Sequence, residues 1–447
     1  MSAYLNINGD TVINLDGAYI NDGYDEPGGY IYSSPNISNK DETSESDDLI
    51  SENWLEVGST FKPFNGSVAA GCGVVAVGAS VTSPGANDSH LYSSTGSLIA
   101  SYLESGVVAI GSNRVVSVNH STQTGYIYNL SADQLATFTP FTGGYWGSSY
   151  TTNETNQGFG ETIGSVAVGC GRIVVGAYKW DGPVSASNLN QSSSQVGTVY
   201  IYDLDGTAIK KIESPWYQSG SYIDPVGSYF GSSVAVGNGR IVVGAPRHEV
   251  GATSNSVTDS GRVFIYSLDG TLLRDISRED YSHATNDYFG ESVDIGCGRI
   301  VIGAPGVGNN GLAQVYDRNG DHIIDLSDNG AENVHGSSSG ADFGSQVAIG
   351  SDLIAVGAKS DDPGKISASS GTALGSIFLY NLRYTKIHEL APFTYPQNTP
   401  YFGVGISIGS NDVLVTSWPT ANKINVWYTP GSSNSYWEKI ADGYFYY

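Results

Sequence analysis

Along this 447-residue chain one hydropathy phrase recurs: a short apolar run, a tight polar turn, then a second apolar run. Its fullest form is "YFGSSVAVGNGRIVVGAP" (229–246), with close relatives "GSVAVGCGRIVVGAY" (164–178), "FGESVDIGCGRIVIGAP" (289–305) and "FGSQVAIGSDLIAVGAK" (343–359). The second run lacks polar alternation, which predicts a strand covered on both faces. After a variable loop comes an alternating aromatic strand, "GTVYIYDLDG", "GRVFIYSLDG", "GSIFLYNL" or "KINVWY". Asp205-Gly206, Asp269-Gly270 or Asn319-Gly320 then predicts a hairpin turn of the primed type. A fourth strand, such as "TAIKKIE" or "TLLRDIS", closes the unit, and no segment carries a helical period.

Aligned on the glycine that opens each phrase, the copies begin at Gly66, Gly106, Gly164, Gly231, Gly290, Gly344 and Gly403. Their uneven spacing implies a fixed core with loops of variable length. Four antiparallel strands per copy, covered on both faces and repeated seven times, predict an all-β fold, a seven-bladed β-propeller. The Gly, Ser, Ala and Val of the first strand suit the crowded axis. The aromatic third strand suits the wider gap further out.

The pattern "FG-x-SVA…VGAP…G-x-VY-x-Y" resembles the FG-GAP repeat of the integrin α-chain head and of many bacterial and phage proteins, over roughly residues 61–447. Phe230-Gly231, Phe289-Gly290 and Phe343-Gly344 match it, as do Gly244-Ala245-Pro246 and Gly303-Ala304-Pro305, while the copies at Gly66, Gly106 and Gly403 are degenerate. Calcium-binding members carry a D-x-D-x-D-G-type loop between the first and second strands. Here that loop has shrunk to pairs such as Asn238-Gly239, too few for six or seven oxygen ligands, so the resemblance carries no metal site over. The acidic clusters 41–48 and Asp361-Asp362 read as solvated loops.

Residues 1–60 differ: "NISNKDETSESDD" is polar and loop-like, while "SAYLNINGDTVINLDGAYI" and "GGYIYSS" read as strands. They form either an arm or small module that attaches residues 61–447 to something larger, or a decayed extra blade. With either, an N-terminal strand that completes the last blade is an open arrangement.

Charge changes the picture next. The formal net charge of −24, from 44 acidic and 20 basic residues, excludes nucleic acid and anionic membranes as partners, since both need clustered Lys and Arg. No apolar run is long enough for membrane insertion, and the N-terminus shows no secretory leader, so export by another route is expected. Cys72, Cys170 and Cys297 occupy one repeat slot, too far apart for a disulfide, and are expected as half-buried free thiols. The seven histidines share no repeat position and have no metal-ligand spacing, and no G-x-S-x-G elbow appears. No catalytic residues and no cofactor are therefore assigned.

Topology divides the loops. First-to-second and third-to-fourth turns lie on one face and are short. Second-to-third and blade-to-blade connections lie on the other and are long, including 138–158, 178–196, 214–229 and 246–260. Function is expected on this long-loop face. Its candidate binding residues are Tyr145, Trp146, Trp180, Trp216, Tyr217 and Tyr222, aromatic rings among hydroxyls and amides that suit stacking on sugars or packing on protein.

These features, with the resemblance to FG-GAP proteins of tailed phages including cyanophages, imply a non-enzymatic binding and structural protein on the virion: a fibre, tail or capsid-attached component. Its expected partners are other virion subunits and host-surface polysaccharide. The alternatives are a secreted bacterial adhesin or carbohydrate-binding protein, extracellular or on the cell surface, and, third, a polysaccharide-active enzyme.

Overall fold

A computed structural model describes residues 4–7, 10–14, 64–79, 88–94, 96–141, 158–180, 195–215, 227–249, 259–277, 285–308, 310–326, 341–361, 375–390, 402–409, 414–418, 423–428 and 438–444. The chain divides into two compact units, Met1–Ser51 and Glu52–Tyr447. In the first, Tyr4–Ile7 and Asp10–Asn14 pair as an antiparallel hairpin. In the second, the described strands form four-stranded antiparallel sheets, each in chain order from its first strand to its fourth. Seven such sheets span 64–104, 107–138, 166–213, 233–276, 292–326, 343–390 and 406–444, called here the first to seventh blades. Side chains are described in six of them and, in the seventh, through Ser417.

The first strands of all the sheets line one axial cavity of about 260 Å³, with Ser67, Val108, Val166, Val234, Val293, Val347 and Ile406 among its walls. The ring closes between its last and first sheets: Ala70 N–H donates to Ser407 Oγ at 3.0 Å, and Ser417 Oγ–H donates to the Gly66 carbonyl at 2.8 Å. The unit is a β-propeller. Of the arrangements left open by the sequence, the last blade takes the one without N-terminal exchange: its fourth strand is Glu438–Tyr444.

The repeated phrase is a set of fasteners between neighbouring blades. Phe230 is fully buried, edge-on to Phe264 and Tyr266 of its own third strand at 5.4 and 6.3 Å. Its N–H donates to the Val196 carbonyl of the preceding blade at 3.2 Å, and Gly231 N–H donates to Gly244 at 2.9 Å. A Cβ on Gly176 would lie 1.8 Å from the Gly231 oxygen, one on Gly244 2.1 Å from Gly290, and one on Gly303 1.9 Å from Gly344. The glycine of "GA" in one blade therefore abuts the glycine of "FG" in the next, a backbone approach that any side chain would block.

This geometry re-registers two copies. In the third blade the fastening pair is Phe159-Gly160, not Gly164: Phe159 is fully buried and Gly160 N–H donates to Gly176 at 2.8 Å. Residues 161–163 are an insertion that separates this pair from its strand, which misled an alignment on glycine alone. In the seventh blade Phe402 is buried and Gly403 N–H donates to Ser417 at 3.0 Å, so a degenerate sequence keeps the fastening.

Turn chemistry follows backbone twist. Cys72-Gly73, Ser112-Asn113, Cys170-Gly171, Asn238-Gly239 and Cys297-Gly298 each have positive φ at both residues, the type I′ turn that suits a two-residue hairpin. The third-to-fourth turns depart from the primed type expected. In Asp203–Gly206 only the glycine has positive φ (86°), and its N–H donates to the Asp203 carbonyl at 3.2 Å, a type I turn ended by a left-handed glycine. A bulge follows in the outer strand, where Ile201 opposes Lys210 but Tyr202 opposes Ala208, leaving Ile209 over. The same slip leaves over Ile99, Leu135, Leu273, Ile323 and Ile387 in the first, second, fourth, fifth and sixth blades. All six side chains are exposed, because the extra residue of a bulge is turned out of the alternating pattern. None of the three cysteines is joined in a disulfide; Cys72 and Cys170 are half-buried as expected and Cys297 is exposed.

Candidate functional site

Of the six aromatic residues singled out from sequence, Tyr145, Trp146, Trp216, Tyr217 and Tyr222 lie outside the described residues. Trp180 is described, and it is 2% exposed. Its N–H donates to Ala177, and its carbonyl accepts from Gly197, which closes the neck of the loop between second and third strands. His248 and Asp361 hold the same neck position, between Ala245 and Gly261 and between Ala358 and Gly375, and both are buried. Trp180 therefore plugs the blade, with the Lys211 ammonium 4.3 Å from its ring centroid, and offers no face to a ligand. Asp361 is likewise not the solvated loop residue expected. The clue was positional: each stands three residues past the alanine of "GA".

At the loop ends of the same strands the structure gathers a group that sequence reading passed over. Tyr178 and Lys179 follow the second strand of the third blade (Arg172–Ala177), and Arg247 follows that of the fourth (Arg240–Ala245). Tyr229 and Tyr288 immediately precede the fastening phenylalanines of the fourth and fifth blades. Both have left-handed backbones, φ 57° and 54°, as does Asp342 (57°) in the same slot of the sixth. Bulky residues adopt this region at a cost of about 1–2 kcal/mol. The surrounding bonds enforce it: Tyr288 N–H donates to Asp259, and the Tyr229 and Tyr288 carbonyls accept from Ser232 and Glu291, all at 3.0 Å.

The result is an arc across three blades. Tyr178 and Tyr229 have ring centroids 5.1 Å apart. The Arg247 guanidinium lies 4.5 Å from the Tyr229 centroid and 5.9 Å from that of Tyr288. At one end Lys179 donates to Glu161 at 2.6 Å and stands 5.5 Å from the Tyr178 ring. The three tyrosines and Lys179 are half-exposed, and Arg247 is exposed. Burial raises the Tyr178 hydroxyl above its ordinary range, helped by the Glu161 charge. Burial pulls the Lys179 ammonium down, but its hydrogen bond to Glu161 and the charges of Tyr178 and Glu161 together outweigh this, and the net shift is upward. His120 is held below its usual value by burial, against the opposing pull of Glu161. At neutral pH the arc thus presents neutral rings, fixed cations and a neutral imidazole beside them. Such a surface stacks and hydrogen-bonds. Its members could be found from sequence only by asking what flanks "FG" and "GA", rather than where tryptophans fall.

The axial cavity holds one departure from the small-residue rule. Asp294 stands where the other first strands have Ala69, Ala109, Ala167, Ala235, Ala348 and Ser407, and it lines the cavity. Its Oδ1 accepts from Ile295 N–H and its Oδ2 from Ile349 N–H of the next blade, both at 2.8 Å. Burial pushes its carboxyl up to about 6, against these two bonds. Among the described residues no group of three or more His, Cys, Asp and Glu is placed to hold a metal ion.

Compared with models of known protein families and with curated proteins, the chain gives no match to either.

Proposed function

We propose that this chain is a non-enzymatic binding protein, a seven-bladed propeller of the FG-GAP type, whose long-loop face engages a host-surface glycan. The observation that carries the reading is the arc Tyr178–Tyr229–Arg247–Tyr288. It sits on the face where the variable loops emerge, and its half-exposed rings are fixed by backbone bonds rather than buried in a blade. Rigid aromatic faces with few free torsions bind sugar rings at low entropic cost. The fasteners and the core are spent on holding the ring together, which leaves loop ends as the part free to vary.

A place on a virion, docked to other structural subunits, is supported by the resemblance to FG-GAP proteins of tailed phages and by the acidic, lysine-poor surface. The exposed aliphatic residue at each outer-strand bulge suits packing at such subunit contacts.

Glycan-array binding of the full chain, with Tyr229→Ala beside it, tests the ligand face. Binding that falls at least tenfold in the variant is the expected result. Absence of binding to any glycan or host envelope overturns the glycan reading, and turnover of a bound polysaccharide overturns the non-enzymatic one. Labelling of intact particles with an antibody to this chain tests the location. Signal confined to a secreted or cell-surface fraction replaces the virion by an adhesin.

A further inference from the structure

Most of the cations among the described residues are committed. Lys179 pairs with Glu161, Arg262 with Asp275, Arg274 with Asp321, Lys359 with Asp342 and Lys386 with Glu389. Arg172, Arg240 and Arg299 donate to carbonyls or side chains in the adjacent blade. Arg247 differs. Its guanidinium is exposed, its contacts are the Tyr229 and Tyr288 rings, and it forms no ion pair among the described residues. Its backbone is tied down, since its N–H donates to Ser228 at 3.3 Å. A guanidinium steadied by π faces keeps its N–H donors for something else, and a planar fork of donors matches a carboxylate or sulfate.

We infer that Arg247 is the anion-recognising residue of the loop face, and that the glycan bound there carries an acidic group, a carboxylate or a sulfate ester. This rests on the glycan reading above and narrows it. An opposing charge within its field is Glu291, whose carboxyl feels Lys359 and Arg247 but lies above its ordinary range because the surrounding protein desolvates it, and no ion pair joins it to Arg247 among the described residues. A ligand anion therefore competes with Glu291 for Arg247 without having to break an ion pair. The overall charge of −24 opposes an acidic polymer at long range. At physiological salt that repulsion is screened beyond about 8 Å, whereas a contact pair at Arg247 is not.

The test is titration of the full chain, at physiological salt, with polygalacturonate, dextran sulfate and neutral dextran. Arg247→Ala and Arg247→Lys are run alongside, and the thermal midpoint of each confirms folding. The expected result is binding to at least one acidic polymer, weakened at least tenfold in Arg247→Ala and only in part restored by lysine, which keeps the charge but loses the fork. Which acidic polymer binds tells carboxylate from sulfate. Equal affinity of Arg247→Ala and the unmodified chain for the acidic polymer overturns the inference. Binding to neutral dextran as tight as to the acidic ones also overturns it and leaves the glycan reading standing. Binding to none of these, and to nothing on the array, removes both.

Discussion

Two seams of the ring solve one packing problem from opposite strands. Between the fourth and fifth blades, Ser233 on the first strand donates its hydroxyl to the Gly290 carbonyl at 2.8 Å, and its cross-strand partner is Gly244. The fifth-to-sixth seam repeats this with Ser292, Gly344 and Gly303. Between the seventh and first blades the residues have changed places: Gly405 leads into the first strand and Ser417 stands on the second, and Ser417 donates to Gly66 at 2.8 Å. Each seam needs one hydroxyl to satisfy a buried carbonyl and one glycine to let the backbones meet. Which strand supplies which is free. Selection of this kind acts on the chemistry of a pair, so the sequence of the last blade looks decayed while its fastening is intact.

The comparison breaks most sharply by exchanging partners. Gly244→Ser would place its Cβ 2.1 Å from the Gly290 oxygen and 2.2 Å from Ser233 Oγ, and Gly405→Ser would place one 2.1 Å from the Gly66 oxygen. Each substitution alone is expected to cost about 3 kcal/mol, the upper range for overpacking. Ser417→Gly alone leaves the buried Gly66 carbonyl without its donor and costs about 1–3 kcal/mol. The double variant Gly405→Ser/Ser417→Gly removes the 2.7 Å approach to Ser417 Oγ and offers the Gly66 carbonyl a hydroxyl again but keeps the backbone contact of the new Cβ, so it should recover the hydrogen-bond part of the summed loss, about 1–3 kcal/mol. Urea midpoints of the four proteins measure this, and simple additivity would show that the two positions are not a unit.

A second contrast, between the fifth-to-sixth seam and the closing one, is charge. Ser407 accepts Ala70 N–H with a neutral hydroxyl, and Asp294 accepts Ile349 N–H with a carboxylate. Because burial holds the Asp294 carboxyl up near 6, the folded state favours its proton more than the unfolded chain does. That preference stabilises the fold below about pH 4 and is lost as pH climbs through 6, a change of about 3 kcal/mol for a shift of roughly two pH units. Asp294→Ser should therefore flatten the pH dependence of stability and raise the thermal midpoint at pH 8 relative to pH 4. Ser407→Asp should introduce a dependence of the same sign at the closing seam.

Much of this was legible in the chain, for a physical reason. Strand order, the tight first-to-second turns and the buried aromatic third strand follow from local periodicity and from residues that tolerate positive φ, such as Asn238 and Gly239, whereas the primed type was expected at the wrong turns, those ending in Gly206, Gly270 and Gly320. The outer-strand bulges were not legible, since a single extra residue such as Ile209 leaves no trace in a six-residue strand. Trp180 was misplaced because its type suggested a binding ring, while its position, three past Ala177, made it a plug. The arc was missed for the converse reason. Arg247 and Tyr288 sit 41 positions apart within phrases read as scaffold, and only the meeting of two blades brings them together.

The smallest expected effects concern the arginines that cross between blades on the short-turn face. Arg299 Nε donates to the Tyr384 hydroxyl of the next blade at 2.6 Å, where both groups are partly sheltered. Arg240 reaches Asn319 Oδ1 of its next blade at 3.4 Å in an exposed setting. Hydrogen bonds to a charged group are worth about 1.5–3 kcal/mol when protected from water, and exposed ones about 0–1 kcal/mol. Partial shelter places Arg299→Ala near 1 kcal/mol, with Tyr384→Phe showing most of the same loss because it removes the same bond. Arg240→Ala should shift the urea midpoint by no more than about 0.5 kcal/mol. Equal losses for the two arginines would mean that they act through packing of their aliphatic stems against the neighbouring turn, not through the bonds at their tips.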